Sequence, residues 1–165
     1  MLTIRLANVN DEDGIWTIFQ EVISTGDTYA FDPKMSKQDG LDYWCRTPTT
    51  LTYVAVDDGK ILGTYILRPN QLALGAHVAN AAFMVPGAAR GHRVGHQMIQ
   101  HMMAEARRLK YRAIQFNYVI STNIAAIKLW EKYGFKIVGT LPGAFRHVQL
   151  EAFVDVHVMY RQLTN

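Results

Sequence analysis

Cysteine is almost missing from this chain. Cys45 stands alone among 165 residues, so no internal disulfide can form, and a reducing compartment, the cytoplasm, is the expectation. No apolar run approaches the roughly 20 residues that cross a bilayer. The opening stretch MLTIRLANVNDEDG lacks the apolar core of a secretory signal. No internal repeat, low-complexity tract or linker breaks the chain, so a single domain over residues 1–165 is expected. Neither sign of charge dominates. The net charge of +3 suits an anionic ligand but is too small to argue for nucleic acid. The basic run RRLKYR at residues 107–112 falls at a helix end, where cations complement the dipole, and it has no interleaved aromatics to stack bases. Neither a nucleic acid nor a membrane is therefore expected as a partner.

The common phosphate motifs are absent too. There is no Gly-Lys-Ser/Thr of a Walker loop, and the dinucleotide fingerprint fails on spacing. His92, His96 and His101 have no acidic or cysteine third ligand nearby, so no metal is expected. The Met98, Met102 and Met103 stripe reads as core packing.

What remains is an ordinary globular composition, 49% apolar and 19% charged, with clear periodicity. LTIRLA reads as a first strand. Asn10 or Asp11 can cap the following helix, which sets Ile15, Ile18, Phe19, Val22 and Ile23 on one face. Ser36 with Asp39 resembles a capping box for a second helix carrying Leu41 and Trp44. Two strands flank an Asp-Asp-Gly-Lys turn as an antiparallel hairpin. HVANAAFMV is a strand stopped by Pro86, residues 94–109 form a helix, and RAIQFNYVI is a strand. Asn123 caps a further helix that ends at Gly134 in a left-handed C-cap. KIVGTL and FVDVHVMYRQL close the chain as strands. The strand–helix–strand unit from 78 to 120 requires a parallel crossover, and the hairpins make the rest antiparallel.

The stretch PGAARGHRVGHQM, residues 86–98, carries the most chemistry. The first N–H groups of a helix lack internal partners and lie at its positive end, so a diphosphate placed there is held by several donors. Gly91 and Gly95 let it come close, and Arg90 adds charge. A plain turn before a helix has the same look. The rest of the chain bears on the choice. AFMVP, then ARGHRVGHQM, then STNIAAIKLWEKYGF resembles the GCN5-related N-acetyltransferases, whose signature is Arg/Gln-x-x-Gly-x-Gly/Ala after the fourth strand. That resemblance implies an α/β fold with a mixed, mostly antiparallel central sheet, a splayed parallel pair of strands and flanking helices. It implies an acetyl-CoA-dependent N-acetyltransferase. Phe83, Met84 and Val85 would offer backbone to the pantetheine arm, Arg90, Gly91, His92, Arg93, Val94, Gly95 and His96 would hold the phosphates, and Asn123 would touch the arm. Arg93 stands where the family has its middle glycine. Its amide can still serve if φ is negative, and its guanidinium can pair with phosphate. Homodimers are common among similar proteins.

A second resemblance concerns the acceptor. TYAFDP, then DYW, then GAFRHVQLEAFVDV is similar to the branch that acetylates phosphinothricin, methionine sulfoximine and related amino acids. By it Phe145, Arg146, His147, Asp155 and Val156 match that branch's last hairpin. Acceptors of the alternative readings are a polyamine, an aminoglycoside or a protein N-terminus, and a non-catalytic acyl-CoA sensor is the rival from another class. Two proton-handling positions are changed: Asn80 replaces the branch's glutamate, and Trp130 replaces the family's tyrosine. The base then falls to water, His147 or Glu21, and Tyr133 is the nearest substitute acid. Asn117, a polar residue in an apolar strand, can face the thioester or the acceptor. Tyr29 and Phe31 can wall the acceptor pocket, and Arg146 can bind a carboxylate.

Overall fold

The computed structural model describes residues 1–90 and 93–163. Its strands and helices run β1 (Thr3–Leu6), α1 (Glu12–Ser24), α2 (Lys37–Cys45), β2 (Leu51–Asp57), β3 (Lys60–Pro69), β4 (Val78–Met84), α3 (Val94–Arg108), β5 (Ala113–Ile120), α4 (Ile124–Lys132), β6 (Lys136–His147) and β7 (Ala152–Gln162). The seven strands form one sheet in the order β1-β2-β3-β4-β5-β7-β6. Every neighbouring pair is antiparallel except β4 and β5. The mixed α/β fold with one parallel pair matches the expectation.

Local chemistry explains most boundaries. The β2–β3 turn places Asp58 and Gly59 at φ 47° and 72°, the two left-handed residues of a tight hairpin. The α4 helix ends with Gly134 at φ 81°. There the Gly134 N–H bonds the Glu131 carbonyl and the Phe135 N–H bonds the Trp130 carbonyl, the paired closure of a Schellman end. That closure delivers Phe135 onto Phe116, with ring centroids 4.5 Å apart. Ser36 accepts from the Asp39 amide at the start of α2.

The start of α1 differs in part from the sequence reading. Asp11 does stand at the N-cap position of α1 but makes no side-chain cap bond; the side-chain cap is Asn8, at the start of the short turn Val9–Asp11. It accepts from the Asn10 N–H across a short turn that feeds α1, and its own N–H bonds Asp11 Oδ2. The Asp11 side chain is unavailable for capping because the Arg5 guanidinium holds both its oxygens, at 2.7 and 2.9 Å. That pairing keeps the Asp11 carboxyl below its usual range.

The sheet has a core on each face. Tyr65, Leu67, Met98, Met102, Ile114, Phe116 and Trp130 fill the side under α3 and α4. Phe19, Ile23, Trp44, Ile66 and Met84 fill the side under α1 and α2. Burying side chains of this size favours folding by roughly 1.5–3 kcal/mol each. Trp44 is fully buried, yet its indole N–H reaches Thr64 Oγ1 at 3.0 Å. No helix among the described residues is long and apolar enough to cross a membrane.

Candidate functional site

Two parallel strands that stop pairing create the site. β4 and β5 are in register only from Val78↔Ala113 to Asn80↔Gln115. At the last rung the buried Asn80 amide donates to the Gln115 carbonyl at 3.1 Å. Beyond it the strands part, and β5 bulges against β7 between Phe116 and Val119. Trp130 of α4 fills the fork from one side, 4.5 Å from Phe116 and 5.1 Å from Phe83 between ring centroids.

Two cavities meet at the fork. One, of about 580 Å³, runs from Phe83, Met84 and Val85 to Arg90, Arg93, Val94, Gly95 and His96, with Asn123 and His147 in its wall. The other, of about 350 Å³, is lined by Tyr29, Phe31, Tyr43, Arg68, Asn80, Asn117 and Tyr118 among others. Tyr29, Phe83, Asn123 and Trp130 border both.

The larger cavity has the donor set for a polyanion. Val94, Gly95 and His96 open α3, so their amides have no helical partner. Arg90 and Arg93 flank them. Arg93 has φ 59° and ψ 13°, so the condition of a negative φ is not met. Arginine instead takes the left-handed path that a glycine there would favour, at a cost of roughly 1–2 kcal/mol. Gly91 and His92 lie outside the described residues. Asn123 Oδ1 accepts from the Ala126 amide at 3.3 Å and so starts α4. His96 Nδ1 lies 3.0 Å from the Tyr133 hydroxyl.

The smaller cavity is aromatic and weakly cationic. Arg68 lies over the Tyr43 ring, 5.2 Å from its centroid, and bonds the Tyr43 hydroxyl at 2.8 Å. No acidic side chain lines this cavity among the described residues. Asn117 bonds Asn70 Oδ1 at 2.7 Å and accepts from Gln115.

Tyr133, Arg146 and Glu21 line neither cavity, nor do Phe145, Asp155 and Val156 of the last hairpin. Tyr133 caps the end of α4 and faces His96. Arg146 is exposed on β6. Glu21 is exposed on α1 and accepts the Gly87 N–H at 2.7 Å, bracing the loop before α3. His147 is buried, and its Nδ1 accepts the Leu150 N–H at 3.2 Å. The neutral ring therefore carries its proton on Nε2. Cys45 lines neither cavity, and burial pushes its thiol up to about 11. Among the described residues no group of three or more His, Cys, Asp or Glu is arranged to hold a metal.

Sequence reasoning missed Arg68, Tyr43 and Tyr118. Arg68 lies near the end of a strand that reads as a plain hairpin arm, and only its contact with Tyr43 of α2 shows that it lines the cavity.

Residues 16–135 match the model of the acetyltransferase (GNAT) family. A GCN5-related N-acetyltransferase from Kribbella flavida is 44% identical, with a TM-score of 0.91 over 98% of this chain and 97% of that one. The N-acetyltransferase aca1 of Schizosaccharomyces pombe is 28% identical over 82% of this chain and 72% of its own length. YwnH of Bacillus subtilis, provisionally assigned as a phosphinothricin acetyltransferase, is 25% identical over 86% of this chain and 88% of its own.

Proposed function

This chain belongs to the acetyltransferase (GNAT) family, an N-acetyltransferase with acetyl-CoA as cosubstrate, and we propose that its acceptor is the amine of an amino acid or amino-acid analogue, acetylated by direct transfer. The carrying observation is Arg68 in a cavity that no acidic side chain lines among the described residues. A guanidinium there is matched by a carboxylate or phosphinate on the acceptor. A polyamine or aminoglycoside would instead call for acidic walls. About 350 Å³ suits a small molecule. The family's loop position and the relation to YwnH support the same reading.

Bound acetyl-CoA supplies a thioester: the acceptor nitrogen–carbon bond forms, the carbon–sulfur bond breaks, and one proton leaves nitrogen as the thiolate departs. The chain's part is placement, which can remove about 7–11 kcal/mol of a barrier at best. The free amides of Val94, Gly95 and His96, with Arg90 and Arg93, hold phosphate. Gly91 and His92 belong to the same loop in this reading. The backbone of Phe83 and Val85 aligns the arm, while Met84 between them turns its polar groups toward β3, and Asn123 borders it. Phe31, Tyr29 and Asn80 wall the acceptor. Asn117 has a spare lone pair for the amine. No carboxylate or imidazole lines the acceptor cavity among the described residues, so water takes the amine's proton. His147, with its proton on Nε2, acts as a donor on the cosubstrate side. Tyr133 positions His96 rather than acting as the acid, and Arg68 takes the carboxylate role first given to Arg146.

Residues 1–165 act as one domain in this reading. The lone cysteine supports a cytoplasmic location. Exposed Ile137, Val138 and Leu141 on the edge strand β6, and Phe153 farther along the same hairpin opposite Arg146, support a homodimer through that edge. A dimer mass in sedimentation is the expected result, and a monomer at all concentrations counts against it. The acceptor is tested by thiol release from acetyl-CoA with amino acids, amino-acid analogues, polyamines and aminoglycosides. Turnover confined to the last two overturns the reading.

A further inference from the structure

The loop between α1 and α2 sends one side chain into the fork. Tyr29 is stacked on Phe31, 5.6 Å between centroids, and stands edge-on to Trp44 at 6.5 Å. Its hydroxyl donates to the Phe83 carbonyl at 2.6 Å and accepts from the Phe83 N–H at 3.1 Å. A single hydroxyl thus engages both backbone polar groups of one β4 residue.

The strand geometry says which groups these are. The Asn70 N–H bonds the Val78 carbonyl, so even-numbered residues of β4 turn their polar groups toward β3. The odd-numbered ones, Phe83 included, turn theirs toward β5. In a continuous sheet β5 would take them, but register with β5 ends at Asn80. An unpaired N–H and C=O near the core would be costly, and Tyr29 fills the gap. Burial raises the Tyr29 phenol above its ordinary value, so it stays neutral and keeps its donor proton.

Tyr29 and Phe83 also belong to the wall shared by the two cavities. A ligand lying along the larger cavity toward the smaller one must pass this contact. The arm of CoA is an extended chain with amide groups. Such a chain adds to an exposed strand edge by the same N–H and C=O pairing that a strand uses. It therefore competes with Tyr29 for Phe83.

We propose that Tyr29 is a displaceable stopper, its hydroxyl holding the Phe83 strand edge in the free protein and yielding it to the amide-bearing arm of CoA, which opens the wall between the two cavities. This rests on the acetyl-CoA reading above. Two bonds replace two, so the exchange is nearly balanced, and the hydroxyl's grip lowers the apparent affinity for anything that needs Phe83. Ligands that use only the phosphate end do not meet it.

The test compares Tyr29→Phe with the unaltered protein by calorimetry. Two probes are used: CoA, and an adenosine bisphosphate that carries the phosphate end without the arm. Removing the hydroxyl keeps the ring and its packing. CoA is expected to bind about 5- to 100-fold more tightly, the range set by the net worth of the two lost hydrogen bonds, with the adenosine bisphosphate unchanged. A merely structural hydroxyl would leave CoA binding equal or weaker, and either result overturns the proposal, as does equal tightening of both probes. No CoA binding by the unaltered protein overturns the acetyl-CoA reading itself. A second measurement avoids relying on how the variant folds. Fluorotyrosine placed at position 29 should shift its fluorine NMR signal with CoA and stay still with the adenosine bisphosphate. A signal that does not move with saturating CoA overturns the stopper.

Discussion

Replacing Arg93 by Gly and by Ala separates two effects that meet in one residue. Arg93 is exposed, so truncation removes little packing. At φ 59° it sits where any side chain costs roughly 1–2 kcal/mol. Alanine keeps that strain. Glycine relieves it but gives back about 0.5–1 kcal/mol in chain entropy. The glycine variant should then be about 0.5–1 kcal/mol more stable than the alanine one. For a chain of this length a stability change of 1 kcal/mol moves the melting temperature by about 2–4 °C, so the two melts should differ by roughly 1–4 °C. CoA affinity should behave differently. Both variants lose the same guanidinium, and a charge-assisted contact with phosphate is worth about 1.5–3 kcal/mol. Calorimetry should show both weakened by about 10- to 100-fold, and the loss should shrink at high salt. A glycine variant less stable than the alanine variant would refute the strain argument. CoA affinity within twofold of the unaltered protein in both would refute the phosphate contact.

Other perturbations probe separate parts of the account. Arg68→Met should lower kcat/KM for amino-acid acceptors by about 10- to 100-fold, the worth of a charged hydrogen bond, with CoA affinity unchanged; an unchanged kcat/KM counts against the acceptor assignment. Glu105, bonded by Arg108 and by the Tyr53 hydroxyl, has its carboxyl lowered to about 2. Its folded value is depressed, so its stabilisation is complete above the unfolded value near ~4.3 and is lost as pH falls toward about 2. The unfolding curves of the protein and of Glu105→Gln should therefore converge across that window, and a gap that persists to the acid end would show that the charge is not the cause.

Element order was legible because apolar spacing decides it: the stripe Ile15, Ile18, Phe19, Val22, Ile23 admits one helical face, and Asp58-Gly59 admits a tight hairpin. Helix starts were harder, since Asn8, Asn10 and Asp11 are all competent caps, and the choice depends on Arg5 reaching across to Asp11. The phosphate side of the site was legible because it comes from one stretch of chain. The acceptor side was legible only in part: Tyr29, Phe31, Asn80 and Asn117 were named from the sequence, but Tyr43, Arg68 and Tyr118 come from three separate segments, and whether such a residue faces a cavity or solvent is set by packing. Arg146 and Arg68 look alike in sequence, yet one is on an exposed edge strand and the other stacks on Tyr43 inside the fork. The sign of φ at Arg93 was likewise beyond sequence reasoning, because arginine tolerates the left-handed region only where the surrounding turn imposes it.

The central claim is that an acetyl group moves from acetyl-CoA to an amine whose carbon skeleton also bears an anion that Arg68 recognises. Thiol release from acetyl-CoA, followed with amino acids and amino-acid analogues beside their decarboxylated amines, tests it most directly. The account predicts turnover with the anionic acceptors and a large loss when the carboxylate is removed. Equal or faster turnover of the decarboxylated amines, or of polyamines alone, would contradict it.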